Sequence, residues 1–137
     1  MTFQRVKKLA LVLLASVSVG WISSPLYAHH SHSMFDADAE LTLKGQVVGL
    51  RYANPHIRML VQVENANGEV ERWDVEMSTI VNMRSRGVTR EVIAEGNEIE
   101  LTINPLRDGG HGGNLVRLHS VNGVSNAAEG GNWSPES

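Results

Sequence analysis

The sequence predicts a mainly β fold: a small five-stranded barrel with a helical connection between its third and fourth strands. Three observations lead to this prediction. Short segments with alternating apolar residues recur between residues 41 and 121, turns rich in Asn and Gly separate them, and one segment with helical spacing follows the third of them. The chain has no cysteine, so packing rather than disulfide bonds must hold the fold together.

The first three predicted strands follow one another closely. Strand one covers residues 41–47, with Gly45 as a bulge or bend where a missing side chain lets the strand coil. Strand two covers residues 57–64, in which every second residue is apolar. The sequence Asn65-Ala66-Asn67-Gly68 tolerates positive φ angles and predicts a hairpin. Strand three, residues 70–77, completes a meander.

The helical connection comes next. Ser78 is the predicted N-cap, because its hydroxyl can accept from a backbone N–H two or three residues further on. Residues 80–83 supply an apolar face, and Gly87 is the predicted C-terminal stop. Residues 89–94 predict a second helical turn.

Two more strands and a tail complete the chain. Strand four covers residues 99–103, and strand five covers residues 115–121. The loop between them, residues 107–113, is so rich in glycine that local preference does not fix its shape. The tail, residues 123–137, is rich in Gly, Asn, Ser and Ala and is predicted to be disordered.

Three strands, a helix and two strands form the order of a small OB-type barrel, in which the helix plugs one end. Closure removes the exposed strand edges that would otherwise promote aggregation. The predicted organisation is a signal peptide at residues 1–28, a His/Ser-rich arm at 29–40, an OB-like barrel domain at 41–122 and the tail at 123–137.

The N-terminal segment has the layout of a secretory signal peptide. Arg5, Lys7 and Lys8 precede an apolar run over residues 9–22, and Ala28 precedes the predicted cut. The run is shorter than the roughly 20 residues that a membrane-spanning helix needs. We therefore expect export to the periplasm or the medium, with no membrane attachment after cleavage.

The charge balance of the mature chain argues against nucleic-acid binding. Cleavage removes three basic residues, which leaves nine Lys and Arg against 15 Asp and Glu, a net charge of −6. Proteins that bind nucleic acids neutralise phosphates with a basic surface. The 109 residues that remain suit one domain with one modest core.

Five short motifs occur in an order and with a spacing that resemble those of a known family. They are Ala28-His29-His30-Ser31, Thr42 through Gly45, Asn54-Pro55-His56, Trp73 through Glu76, and Arg86-Gly87-Val88-Thr89. Together they resemble the DUF6152 family of exported bacterial proteins of unknown function. The resemblance implies an exported, β-barrel-like domain and brings no activity, substrate or catalytic residue with it.

The histidines of this sequence are its candidate metal ligands. All six histidines lie after the predicted cut, and His29, His30 and His32 fall within four positions. A cut after Ala28 gives His29 a free amine beside its imidazole, a pair that chelates copper, and His56 or His111 can add a remote ligand. A cut one residue earlier places His30 third, which also suits copper. The competing interpretation is a flexible arm that binds metal only adventitiously.

The candidate ligand-binding residues are Asn54, His56, Trp73 and Arg86. Pro55 makes the Asn54–His56 turn rigid, so His56 either supports that turn or acts as a ligand or base. Arg86 either clasps an anion or belongs to the solvated side of the helical connection. Two further expectations concern histidines: His111 is a solvent-exposed loop residue or a lid, and His119 is a sheet residue with a hydrogen-bond partner.

Three functions follow from these residues. The first is an exported binding module that holds copper or another small ligand through the N-terminal histidines and the barrel rim, and the second is an interaction subunit of an exported complex with incidental histidines. The third is an oxidative enzyme built on a copper-bound N-terminal histidine. An enzyme is disfavoured, because no catalytic motif or phosphate loop is present and a small barrel leaves little cavity.

Overall fold

A computed structural model describes residues 34–128 and 130–136 of the chain. The predicted signal peptide and His29, His30 and His32 lie outside these residues. The strands are β1 (Leu41–Arg51), β2 (Arg58–Glu64), β3 (Val70–Glu76), β4 (Glu98–Pro105), β5 (Gly112–Val121) and β6 (Val124–Ser125). The helix α1 covers Ile80–Ser85. Among the residues described, no helix combines the length and apolarity needed to cross a membrane.

The strands close into a five-stranded barrel, which confirms the predicted OB-like fold. Antiparallel pairs give the order β3-β2-β1-β4-β5, and a parallel β3–β5 contact joins the two ends. The short β6 pairs with the last residues of β5. Residues at alternate strand positions fill one apolar core, and residues from α1 and its C-terminal connection complete it. Its members with the lowest exposure include Val47, Ile57, Met59, Val61, Val75, Ile93, Leu101 and Ile103.

Gly45 lets β1 belong to both halves of the barrel. Its backbone pairs with Val63 of β2 and with Ile99 of β4. A Cβ atom here would lie 2.0 Å from the carbonyl oxygen of Gln62, so no other residue fits without moving β2. A bulge between Val47 and Gly49 then bends β1 further. The predicted bend at Gly45 is thus a close approach of two backbones.

The glycine-rich connection before β5 is better ordered than its composition predicts. Gly112 and Gly113 belong to β5 and pair with Asp74 and Val75 of β3, where the barrel closes. A Cβ atom on Gly113 would lie 2.6 Å from both the backbone carbonyl oxygen of Asn104 and Cδ1 of Ile103. These two glycines therefore permit close packing of strands, and do not make the segment flexible.

The helical connection differs from the sequence prediction in its cap. Thr79, and not Ser78, is the N-cap of α1, and its side chain accepts from the N–H of Asn82 at 3.3 Å. The predicted stop at Gly87 is confirmed, with φ at +81°. Residues 90–93 form a turn in place of the second helical turn predicted over residues 89–94.

The described part of the tail makes specific contacts, in contrast to the predicted disorder. The N–H of Trp133 donates to the Arg86 carbonyl at 2.7 Å, and its indole packs against the core. The Asn126 side chain donates to the carbonyl oxygens of Leu118 and Asn132, both at 2.7 Å. Hydrogen bonds from side chains to the backbone thus order a segment with little apolar content.

Candidate binding site

His56 and Glu76 form a paired imidazole and carboxylate where β2 begins and β3 ends. Nδ1 of His56 is hydrogen-bonded to Oε1 of Glu76, and the two side chains are 38% and 19% exposed. An ionised carboxylate only accepts hydrogen bonds, so Nδ1 of the neutral ring carries the proton. The lone pair of Nε2 is then available to a ligand. This is the arrangement in which a carboxylate orients a metal-binding histidine.

The pair lines a cavity of about 170 Å³. The cavity mixes polar with apolar groups, since Phe35, Met77 and Met83 lie on its wall together with His56 and Glu76. Arg86 also lines it. Ligand pockets typically combine an apolar lining with a few convergent polar groups, although this cavity is smaller than most.

The first described residues of the arm are fixed beside this cavity. Phe35 is 8% exposed and forms a β-bridge with Leu106. The N–H of Asp36 donates to the Pro105 carbonyl at 2.8 Å, and Nε of Arg107 donates to the Phe35 carbonyl at 3.1 Å. His32 precedes Phe35 by only three residues in the sequence. Sequence reasoning missed Phe35, although an aromatic residue within an otherwise polar arm was a visible signal.

Two of the predicted ligand-binding residues have structural partners instead. Asn54 accepts from the N–H of Ile80 at 3.0 Å and so supports the start of α1. Arg86 donates through Nε to the Gly131 carbonyl at 2.8 Å and through Nη2 to the Val116 carbonyl at 3.4 Å. Their main contacts therefore hold the helical connection and the tail in place.

His111 lies away from His56, in a cluster with Trp73 and Glu71. The Trp73 and His111 rings stack with centroids 4.8 Å apart. Nε1 of Trp73 donates to Glu71 at 3.0 Å, and Nε2 of His111 lies 3.8 Å from the same carboxylate. Hydrogen bonds from Asn65 and then Trp73 lower the pKa of Glu71. Because side chains alternate along β3, Trp73 and Glu76 occupy opposite faces, so the fold does not bring His111 and His56 together.

The acidic residues of β3 are paired with neighbouring side chains. Asp74 accepts from the guanidinium of Arg58 on β2, and this hydrogen bond raises the pKa of Arg58. Glu76 is hydrogen-bonded to His56. His119 has its predicted partner, since Nε2 lies 2.7 Å from the Thr102 hydroxyl. Asp74 and Glu76 therefore do not form an open acidic strip.

A second, more open groove of about 340 Å³ crosses the outer surface over Gly45. Its wall includes Lys44, Gln62, Glu64 and Glu98, and none of the residues predicted as ligands. Across residues 34–128 and 130–136, no three His, Asp or Glu side chains converge well enough to hold a metal ion. A metal at His56 would thus need ligands from the arm or of another chemical type.

The fold and the cavity together define a class: a small OB-like barrel with a histidine–carboxylate pair in a cavity beside the anchored N-terminal arm. The sequence profile of DUF6152, described as a family of unknown function, matches residues 15–115. The chain belongs to this family. A comparison with curated proteins gave no match.

One solved structure is similar in outline. It is the mitochondrial single-stranded DNA binding protein Rim1 from S. cerevisiae, with a TM-score of 0.44 and 6% identity. The alignment covers 65% of this chain and 96% of that one. At this level of similarity, no conclusion about ligands follows.

Proposed function

We propose that the mature chain is an exported binding module that holds one copper ion between its N-terminal histidines and His56. The observation that carries the proposal is that Phe35, a buried residue of the arm, lines the same cavity as His56 and Glu76. The arm therefore leaves the barrel at a histidine whose Nε2 is available for a ligand.

The chemistry of the arm suits copper. Cleavage after Ala28 leaves a free amine and an imidazole on His29, which together chelate one ion, and Cu(II) stands highest in the divalent affinity order and favours nitrogen ligands. The amine must lose its proton before it binds. Its reference pKa of about 7.7–8.0 makes affinity rise with pH through neutrality.

The length of the arm allows His56 to join this chelate. An extended chain spans at most about 3.6 Å per residue. His29 precedes Phe35 by six residues, so its ligand atoms have a reach of about 20 Å from a point on the cavity wall. Glu76 supports the assignment, because a carboxylate hydrogen-bonded to Nδ1 fixes the orientation of a metal-binding histidine ring.

The test is a calorimetric titration with Cu(II) of protein recovered from the exported fraction, with the N-terminus established by mass. It is run beside a form that carries three additional N-terminal residues other than histidine, which removes the amine from His29 and leaves no histidine among the first three positions. We expect one tight site in the authentic form only. His56→Gln should weaken that site, and His111→Gln, a matched histidine on the other face of β3, should leave it unchanged.

Equal and weak binding by the two N-terminal forms would overturn the proposal, as would recovery of the uncleaved chain. Loss of affinity in His111→Gln to the same degree as in His56→Gln would show that histidine content alone matters. Paramagnetic resonance of the Cu(II) complex gives an independent readout, because the loss of the His56 nitrogen changes the ligand hyperfine pattern.

The alternative function is an interaction subunit of an exported complex. Its supporting observation is an apolar patch on the outer face of the sheet, where Leu60 is 40% exposed and lies opposite Gly49, next to Val48 at 38%. Leu60→Lys should abolish partner binding under this alternative and leave copper binding intact. His29→Ala has the opposite pattern under the copper proposal.

A further inference from the structure

Two methionines share the cavity of His56. Met77 directly follows β3 and Met83 lies in α1, and each is 1% exposed. Both side chains line the cavity together with His56 and Glu76. A third buried methionine, Met59, belongs to the same core without lining this cavity. Two methionines and a histidine from three separate parts of the chain thus line one cavity.

This set of groups selects a particular kind of ion. Carboxylates and carbonyls suit hard cations, whereas thioether sulfur is a soft ligand that selects Cu(I). We propose that the cavity binds a cuprous ion through Nε2 of His56 and the sulfur atoms of Met77 and Met83. Cu(I) is satisfied by few ligands, so three side chains are sufficient for it.

The charges around the cavity decide whether a monovalent cation is tolerated. Glu76 supplies a negative charge next to His56, and this charge balances the ion in a partly buried place. Arg86 opposes binding with its positive charge, and its Nη1 lies 3.9 Å from Sδ of Met83. Its Nε remains held by the Gly131 carbonyl, so the ion replaces a weak contact of Nη1 and does not unpair the whole guanidinium.

The cavity also has the right size and access. Its volume of about 170 Å³ exceeds the roughly 30 Å³ that one water molecule occupies in the liquid, so an ion enters without repacking of the core. The imidazole of His56 is 38% exposed and gives an entry path from solvent. Met77 and Met83 are each only 1% exposed, so water has little access to them.

The cuprous site goes beyond the proposed function, with which it shares the cavity, His56 and Glu76. It needs neither the free amine nor any histidine of the arm. The form with three additional N-terminal residues, which lacks the Cu(II) chelate, should therefore bind Cu(I) as tightly as the authentic form. Failure of one proposal then leaves the other standing.

The experiment is an anaerobic competition between the mature protein and a colorimetric Cu(I) chelator, with Cu(I) itself as the probe. The variants are Met77→Leu and Met83→Leu, and Met59→Leu is the matched control from the same core. Leu and Met have similar volumes, so folding is retained. We expect each cavity variant to lower the Cu(I) affinity at least about tenfold, equivalent to about 1.4 kcal/mol, and the control to leave it unchanged.

X-ray absorption at the copper edge supplies the second readout and should show sulfur neighbours in the wild-type complex. A nitrogen-only spectrum would overturn the assignment. Unchanged Cu(I) affinity in both cavity variants would do the same, as would an equal loss in Met59→Leu. Urea denaturation of each variant without copper separates loss of binding from loss of fold.

Discussion

The rings of Trp73 and His111 stack with centroids 4.8 Å apart and with an angle of 21° between their planes. The contact fixes the glycine-containing β4–β5 loop against β3, where the His111 carbonyl accepts from the N–H of Asp74 at 3.1 Å. His111 was expected to be solvent-exposed or a lid. The structure shows it half exposed and packed on an indole.

Replacement of His111 tests how much this stack contributes. We expect His111→Ala to lower the free energy of unfolding by roughly 0.5–1 kcal/mol, the lower part of the range for aromatic pairs, because the ring is half exposed. His111→Phe keeps a ring over Trp73 and should restore most of the loss. Urea denaturation measures both variants. A variant series in which Phe is no better than Ala would contradict a stacking contribution.

The protein should lose stability in acid as Glu71 becomes protonated. Hydrogen bonds from Asn65 and Trp73 hold its pKa below the ordinary 4.5, so between the two values the unfolded chain binds more protons than the folded one. The stabilisation is therefore complete above pH 4.5 and is lost as the pH falls through the folded pKa. Glu71→Gln should flatten this part of the stability profile, measured as urea midpoints against pH. Glu64→Gln, on the outer face of β2, serves as the control.

Gly113 should not tolerate a side chain. Its added Cβ would meet the Asn104 carbonyl oxygen and the Ile103 side chain, both at 2.6 Å, at the seam of the barrel. We expect Gly113→Ala to destabilise the fold by about 2 kcal/mol, as overpacking does. Gly110→Ala is the control in the same connection, because its nearest neighbour is the exposed Asp108 side chain at 3.1 Å. Thermal unfolding that responds equally to both changes would contradict the close packing at the seam.

Ser78 and Thr79 both carry a hydroxyl at the start of α1, and replacing each in turn shows which one is the N-cap. Thr79→Ala should cost about 1 kcal/mol, because the Asn82 N–H loses its acceptor. Ser78→Ala removes only an exposed hydrogen bond from the Asn82 side chain and should cost less. Chemical denaturation of the two single variants is the measurement. A larger effect at Ser78 would support the cap expected from the sequence instead.

The tail should be protected from proteases by Trp133. Its indole packs on the core and its N–H is bonded to Arg86, so Trp133→Ala should destabilise the fold by roughly 2 kcal/mol and release the tail. Limited proteolysis followed by mass analysis should show cleavage within the tail, C-terminal to residue 123, earlier in the variant than in the wild type. Equal cleavage of both proteins would mean that Trp133 does not hold the segment.

The sequence was sufficient for the order of elements and for most of the core. Alternation along residues 57–64 identified Ile57, Met59 and Val61 as buried, because a strand places every second side chain on one face. The bend at Gly45 and the helix stop at Gly87 followed from the freedom that only glycine has. The barrel was predictable because these local signals came in the order of one known architecture.

The candidate site was only partly predictable. His56 was singled out from its turn, but its pairing with Glu76 depends on the register of β2 against β3. Met77 and Met83 gave the ordinary signal of core residues. Nothing in their spacing indicates that they share a cavity with an imidazole.

The sequence by itself determined most of the buried residues, where the strands turn, and that the chain is acidic and free of cysteine, since these properties depend on composition and on neighbours along the chain. Only the tertiary structure decided that Gly112 and Gly113 close the barrel, that the arm is anchored beside His56, and that two thioethers lie in the same cavity. The physical reason is that periodicity specifies the face on which a side chain lies, whereas contacts between distant segments depend on strand register and barrel closure.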